Sequence, residues 1–501
     1  MSRYTGYICV LLFALTVSCT VGPEYRRPEK VAESTSAFKE YISHVQDVTE
    51  AGGISRWWRR MQDPWMDRHV RLLIEENLQL KEAAARIEQA RAQIGIEKGE
   101  RLPDISLSAA TRRRVQSLES LAISSGVPAV GGGMDERIYI TQVEAGLSTS
   151  WQLDLFGRIK KRISAATGRY QAFRADAVAL VHSLIAELAR GRVALATLKR
   201  RLELTEETVE SRKITLNTVE RRYRLGARGI SAEDVYLARE NLSSAASILP
   251  DLRRQMAEQA YSLDVLMGRV PGFLNFSDIT LSPLPPPQDI DVGLPAHLLD
   301  RRPDLQAAEL RLIAETEEIG VAIANLYPDL TLNGNIGVQN DDFSDLIRGN
   351  GFLASLAGNI LVRIFEGGRL RANIDLQEAQ ARELAASYAR QVLSAIAEVE
   401  IALSNSRYLS ERIAELEIRK TNIRKADEEA WVNYRRGLRP LVEVLELQRR
   451  RYNAEQEYLL TAQAAWNNRI ALYLALGGDW LDEKPVLRPL PVPTVSDHER
   501  R

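Results

Sequence analysis

The sequence predicts a mainly α-helical chain that carries four amphipathic strands of a membrane β-barrel, and three observations predict it. The 501 residues contain one unit written twice. Each copy holds a long stretch of helical periodicity, poor in Gly and Pro. Each copy also holds two segments of period two, with one apolar and one polar face. Composition agrees: charged residues make up 27%, aromatics only 6%, and Ala, Leu, Glu, Arg and Gln are abundant, as long solvated helices require.

The repeat is legible at fixed spacing. Leu80-Lys81-Glu82-Ala83, Arg86, Ile94-Gly95-Ile96 and Leu102-Pro103-Asp104-Ile105 return as Leu305-Gln306-Ala307-Ala308, Arg311, Ile319-Gly320-Val321 and Tyr327-Pro328-Asp329-Leu330. Further along, Asp154-Leu155-Phe156-Gly157-Arg158 is echoed by Phe365-Glu366-Gly367-Gly368-Arg369, and Tyr223-Arg224-Leu225-Gly226 by Tyr434-Arg435-Arg436-Gly437. Each copy reads as helix, strand, strand, long helix, turn, long helix. Neither Gly nor Pro occurs between Gly368 and Gly437, where Tyr388, Val392, Ala395 and Val399 fall on one face. Some sixty helical residues rise about 100 Å, far more than a globular domain needs. In the first copy no Pro follows Gly157 until Pro250, although Gly168 and Gly191 lower the local propensity.

The strands are expected at 105–110, 143–153, 330–339 and 352–365. Val143, Ala145, Leu147, Thr149, Trp151 and Leu153 alternate with polar or small residues. The first strand reads as short, and Arg112 to Arg114 beyond it as a solvated face. Four strands cannot close a barrel, and an open edge in lipid leaves N–H and C=O groups unpaired. A membrane barrel therefore requires more than one chain; two chains would supply eight strands and three would supply twelve. The alternative is a soluble four-stranded sheet with one wet face, against which the export signal and the long helices weigh.

Residues 1–18 have the form of an export signal: Arg3, an apolar run from Tyr7 to Val17, and the small Ser18. The run Leu15-Thr16-Val17-Ser18-Cys19 resembles a lipobox, which predicts acylation of Cys19. Cys9 leaves with the signal, so no disulfide is expected. After residue 19 no apolar run reaches the length of a spanning helix.

Taken together, Trp57-Trp58, Asp63-Pro64, Leu72-Leu73-Ile74, Asn77, the run from Ser150 to Arg158, Asp300-Arg301-Arg302-Pro303-Asp304-Leu305 and Phe365 to Arg369 resemble the TolC-like outer-membrane efflux proteins. The start Cys19-Thr20-Val21-Gly22-Pro23-Glu24-Tyr25, with Pro28, resembles the lipoprotein branch, the NodT-type outer-membrane factors. The resemblance runs from Cys19 to about Trp480. It implies a homotrimer whose twelve strands form a β-barrel in the outer membrane, continued by a long periplasmic α-helical barrel. It also implies docking onto a periplasmic adaptor and an inner-membrane transporter of the RND type, with passive export of small molecules such as drugs or metal ions. The exit duct of a type I protein-secretion system shares the fold and is the alternative. The implied division is signal 1–18, lipidated strap 19–62, first repeat 63–268, linker 269–297, second repeat 298–478 and Pro-rich tail 479–501.

Glu443 and Glu446 lie three residues apart, so on a helix they share a face, and threefold symmetry multiplies them around the narrow periplasmic end. By resemblance they match the acidic ring of a gate, and Tyr434 and Arg439 match residues that latch the second hairpin to acids of the first, here Glu233 or Asp234. Leu225, Gly226, Gly437 and Leu438 are the implied docking tips. The first turn, Gly226 to Val235, reads about two residues longer than the family pattern.

No enzyme is expected. His44, His69, His182, His297 and His498 are scattered without ligand spacing, and Gly131-Gly132-Gly133 lacks the Lys-Ser/Thr of a phosphate loop. No metal and no cofactor are expected beyond the lipid on Cys19. A net charge of −1 gives no reason for a nucleic-acid partner.

Overall fold

The computed structural model describes residues 20–27, 56–117, 137–227, 229–274, 301–343 and 351–477. The signal, Cys19, most of the strap, the linker from 275 and the tail lie outside them. A 3₁₀ turn, Trp57–Met61, precedes α1 (Pro64–Glu76) and α2 (Leu78–Gly99). Strands β1 (Asp104–Ser117) and β2 (Arg137–Leu153) lead into α3 (Arg158–Arg224), then α4 (Ala232–Ala246) and α5 (Ile248–Leu266). The pattern returns as α6 (Pro303–Ala324), β3 (Asp329–Asn340), β4 (Phe352–Leu361), α7 (Arg369–Arg435) and α8 (Leu441–Ala475).

The chain divides into two compact units. The first comprises residues 1–26, 89–170 and 310–385 and holds the sheet. Its order is β1-β2-β3-β4, antiparallel throughout, so β1 and β4 are both edges. In register, Leu107 stands opposite Leu147, Leu147 opposite Ile336 and Ile336 opposite Ala354. The next row down is polar: Ser106, Ser148, Asn335 and Ser355. Period-two alternation thus survives across all four strands and separates the faces. The apolar face is uncovered, with Leu107 78% and Leu356 82% exposed.

β1 is longer than its apolar pattern suggests. Expected over 105–110, it runs to Ser117, and Arg112, Arg113 and Arg114 pair with Gln142, Thr141 and Ile140 of β2. Backbone pairing to an existing strand extends it where side-chain hydrophobicity ends. β4, conversely, stops at Leu361 and not at Phe365.

Two motifs turn strands into helices. Asp154 accepts a hydrogen bond from the Lys160 amide at 2.8 Å, and Glu366 accepts one from the Leu370 amide at 3.0 Å, each occupying an orphan donor at the start of a long helix. Arg158 holds the base of the sheet by bonding Asn325 at 3.1 Å and approaching Asp329 at 3.4 Å. Residues 20–26 lie here as well: a Cβ on Gly22 would fall 2.6 Å from the Gly320 backbone, and Lys160 Nζ donates to Thr20 at 3.1 Å.

The second unit, residues 27–88, 171–309 and 386–501, is helical in its described parts. The helices α3 and α7 are each 67 residues long. Tyr388, Val392, Ala395 and Val399 are all buried, as their spacing predicts. Gly168 and Gly191 do not interrupt α3. A Cβ at Gly191 would run into Leu263 of α5, so the small residue admits a close helix approach within this unit. The return of the first hairpin is broken at Ser247 into α4 and α5. Pro250 offers no N–H to the Ala246 carbonyl one turn back, which removes the hydrogen bond that would span the joint.

The core of this unit gathers Trp57, Met61, Leu73, Leu184, Leu188 and Tyr473, with the Trp57 and Tyr473 rings stacked at 5.1 Å. Beside it, Asp63 caps α1 through the Trp65 amide at 3.0 Å and pairs with Arg192 at 2.6 Å. Arg192 is 1% exposed; burial pulls its pKa down, and the Asp63 charge opposes that. Asp63→Asn keeps the cap and removes the countercharge, so it should destabilise the protein by about 1–3 kcal/mol. A melting temperature equal to wild type would show that the ion pair contributes nothing. At the start of α6, Arg302 clamps Asp304 at 2.7 Å and Glu398 at 2.6 Å.

Candidate functional site

The sequence-marked residues of both hairpins meet at one end of the second unit. Each outgoing helix closes in the same way: Ala227 N–H reaches the Arg222 carbonyl at 3.0 Å, and Leu438 N–H reaches the Asn433 carbonyl at 2.9 Å. Gly226 and Gly437 occupy the left-handed position, at φ 69° and 76°. A Cβ at either would meet nothing within 4 Å, so backbone conformation and not space requires glycine there. The flanking Leu225 and Leu438 are 78% and 74% exposed, apolar side chains held out at the turns.

The restarts differ. Residues 227–231 separate Gly226 from α4, whereas residues 438–440 separate Gly437 from α8, so the first turn is five residues against three. Ser231 and Asp234 form a reciprocal cap, with Asp234 Oδ2 accepting from the Ser231 amide at 2.8 Å. Pro440 opens α8, and Glu443 in its first turn complements the helix dipole.

Beneath the turns an apolar cluster joins all four helices: Val219 of α3, Val235 of α4, Ala430 and Tyr434 of α7, and Leu441 and Val444 of α8. Arg222 spans the hairpins, donating to the Tyr434 carbonyl at 3.0 Å with its guanidinium 5.0 Å from that ring's centroid. Burial pushes the Tyr434 phenol up, and the Arg222 charge partly offsets this. The Tyr434 hydroxyl itself is buried without a hydrogen-bond partner among the described residues.

Within the protomer, Arg439 pairs with Glu443 at 3.2 Å and not with Glu233 or Asp234. Asp234 is engaged by the Ser231 cap, and Glu233 is exposed. Glu446 is held by Arg450 and Arg449, each at 2.7 Å, which lowers its carboxyl below the usual range. The two acids of α8 therefore share a face but are not bare charges; each has arginine beside it.

A polar layer that the sequence reading missed lies one to two turns behind. Arg212 donates to the Asn241 carbonyl at 2.6 Å, Asn241 to Gln448 at 3.3 Å, and Gln448 to Thr215 at 3.1 Å, linking α3, α4 and α8. Next to it Asp427 pairs with Arg451 at 3.1 Å, yet burial raises the Asp427 carboxyl. One signal could have revealed Arg222: Thr215, Val219 and Arg222 fall at i, i+4 and i+7, which places an arginine on a buried stripe. Among the described residues no cluster of His, Cys, Asp and Glu is arranged to hold a metal ion.

Residues 70–269 and 294–478 match the family described as outer membrane efflux protein. The toluene efflux pump outer membrane protein TtgF of Pseudomonas putida is 28% identical, over 95% of this chain and 97% of its own. Nodulation protein T of Rhizobium leguminosarum bv. trifolii is 28% identical, over 95% of this chain and 98% of its own. The solved structure of the outer-membrane channel OprN superposes with a TM-score of 0.82 at 29% identity, covering 92% of this chain and all of that one.

Proposed function

Because the chain belongs to the outer membrane efflux protein family, whose members are channels and not enzymes and need no cofactor, and has the fold of its trimeric channels, we propose that it is the exit duct of a tripartite efflux pump. Three copies close a twelve-stranded barrel in the outer membrane, and the paired hairpins form the periplasmic end. An adaptor docks at Leu225, Gly226, Gly437 and Leu438, and an inner-membrane transporter of the RND type supplies the energy. The observation that carries this reading is the sheet: its open edges at β1 and β4 stay unpaired in lipid until neighbouring strands close them, and its uncovered apolar face is unfavourable in water and suited to lipid. Reconstituted in planar bilayers, the protein should conduct ions without an energy source, and photo-crosslinkers at Leu225 and Leu438 should capture a periplasmic adaptor in cells. A folded monomer that does not conduct would overturn the proposal.

Cys19 is the lipid anchor in this reading. Thr20, next to it in sequence, lies against Gly157, just past the end of β2, so an acyl chain there would start beside the barrel. Mass spectrometry of the mature N-terminus should find a diacylated or triacylated Cys19, and an unmodified cysteine would remove the anchor.

Glu443 and Glu446 form the gate, as ion pairs with arginine. Glu443→Gln with Glu446→Gln leaves Arg439, Arg449 and Arg450 without these partners, so permeability should shift from cations toward anions and block by divalent cations should weaken. Reversal potentials in a salt gradient measure this. An unchanged ratio would place the constriction elsewhere.

A further inference from the structure

The apolar face of the sheet carries one charge. Between the level of Trp151 and the level of Tyr139, Arg113 is the only charged residue among those described on this face, which otherwise presents residues such as Ile105, Leu107, Leu147 and Ile336. Arg113 stands opposite Thr141, exposed, with its guanidinium 5.2 Å from the centroid of the Tyr139 ring. Arg112 and Arg114 belong by alternation to the other, polar face, so the triplet straddles the wall.

Position along the strand says what this arginine meets. Asp104 pairs with Ser150, the neighbour of Trp151, so Arg113 lies about ten residues above the Trp151 level. That is about 33 Å of strand, or about 25 Å of height at the tilt of a membrane barrel, which matches the height of its apolar band. Trp151 and Tyr139 then mark the two interfaces, where aromatic rings gather. An arginine facing lipid is tolerated at that outer boundary and not at the centre. There the available anions are phosphates of lipid headgroups, and a planar fork steadied on an aromatic ring can take two phosphate oxygens at once.

We propose that Arg113, supported by Tyr139, is a binding position for the phosphate of an outer-leaflet lipid, an inference that rests on the sheet being part of a membrane barrel. The test is native mass spectrometry of the assembled protein released from phosphatidylcholine nanodiscs doped with lipid A. Wild type should retain the phosphorylated glycolipid, and Arg113→Gln should lower its apparent affinity roughly five- to tenfold. Arg113→Lys should keep part of it, and Arg112→Gln with Arg114→Gln, on the opposite face, should keep all of it. Wild type should retain chemically dephosphorylated lipid A roughly five- to tenfold more weakly than the intact form, a comparison that does not depend on any variant folding. Equal retention of the two lipids by wild type, or of lipid A by wild type and Arg113→Gln, overturns the proposal. Conductance of the same samples reports separately on the channel: a conducting protein without the lipid preference sinks only the site, and a non-conducting monomer sinks the channel reading first.

Discussion

Leu147→Arg is expected to remove the assembled protein from the outer membrane, while Ser148→Arg, one residue along, leaves it there. Leu147 lies on the apolar face, opposite Leu107 and Ile336, four residues from Trp151. At about 10 Å of height above the interface it falls near the middle of the apolar band. An arginine facing lipid there costs about 2–4 kcal/mol, and three copies in one barrel bring the penalty to about 6–12 kcal/mol. That is comparable with the whole stability of a typical folded domain. Ser148 sits on the polar face, where an arginine meets water and alters conductance, not assembly. Fractionation of membranes with detection of the trimer by native electrophoresis measures both. Equal amounts of trimer for Leu147→Arg would show that this face does not meet lipid.

The second large effect is expected at the tips. Tyr434→Ala empties the centre of the cluster shared by the two hairpins, where the ring is 2% exposed, at a cost of about 3–5 kcal/mol. Arg222→Ala removes a charge-assisted bond to the Tyr434 carbonyl and the cation over its ring, for about 1.5 kcal/mol after allowing for its partial exposure. In the gate proposed above, opening parts the two hairpins, so each 1.4 kcal/mol of contact between them that is removed is about a tenfold gain for the open state. Single-channel recordings should therefore show open probability rising about tenfold for Arg222→Ala and further for Tyr434→Ala. Tyr434→Phe should stay within about twofold of wild type, because the hydroxyl it removes has no hydrogen-bond partner among the described residues. If Tyr434→Phe opens the channel as widely as Arg222→Ala, the hydroxyl contacts a neighbouring protomer and the latch is not the one within the chain.

Several parts of this fold depend only on neighbours in sequence, and those were legible. The absence of Gly and Pro between Gly368 and Gly437 delimits α7 within a residue or two of its observed ends. Alternation in β2 and β3 assigns their faces, because the pleat has period two wherever the strand is placed. The tip glycines announce the helix ends, since the left-handed cap excludes most other residues. Even the Glu446 partners Arg449 and Arg450 sit at i+3 and i+4, within reach on any helix.

What escaped the sequence depends on partners far along the chain. The extension of β1 through Arg112 to Arg114 comes from hydrogen bonds to β2, to which side-chain hydrophobicity is blind. The buried link through Arg212, Asn241, Gln448 and Thr215 needs three helices brought together before any of those side chains has a partner. By itself the sequence determined the strand faces and the turn positions, which follow from short spacings, the rods, which follow from long stretches without Gly or Pro, and the repeat, which follows from comparing the chain with itself. The tertiary structure alone decided what holds the tip: Arg222 and the Tyr434 carbonyl are 212 residues apart, and a bond at that separation exists only once the packing of both hairpins has offset the entropy of closing the loop between them.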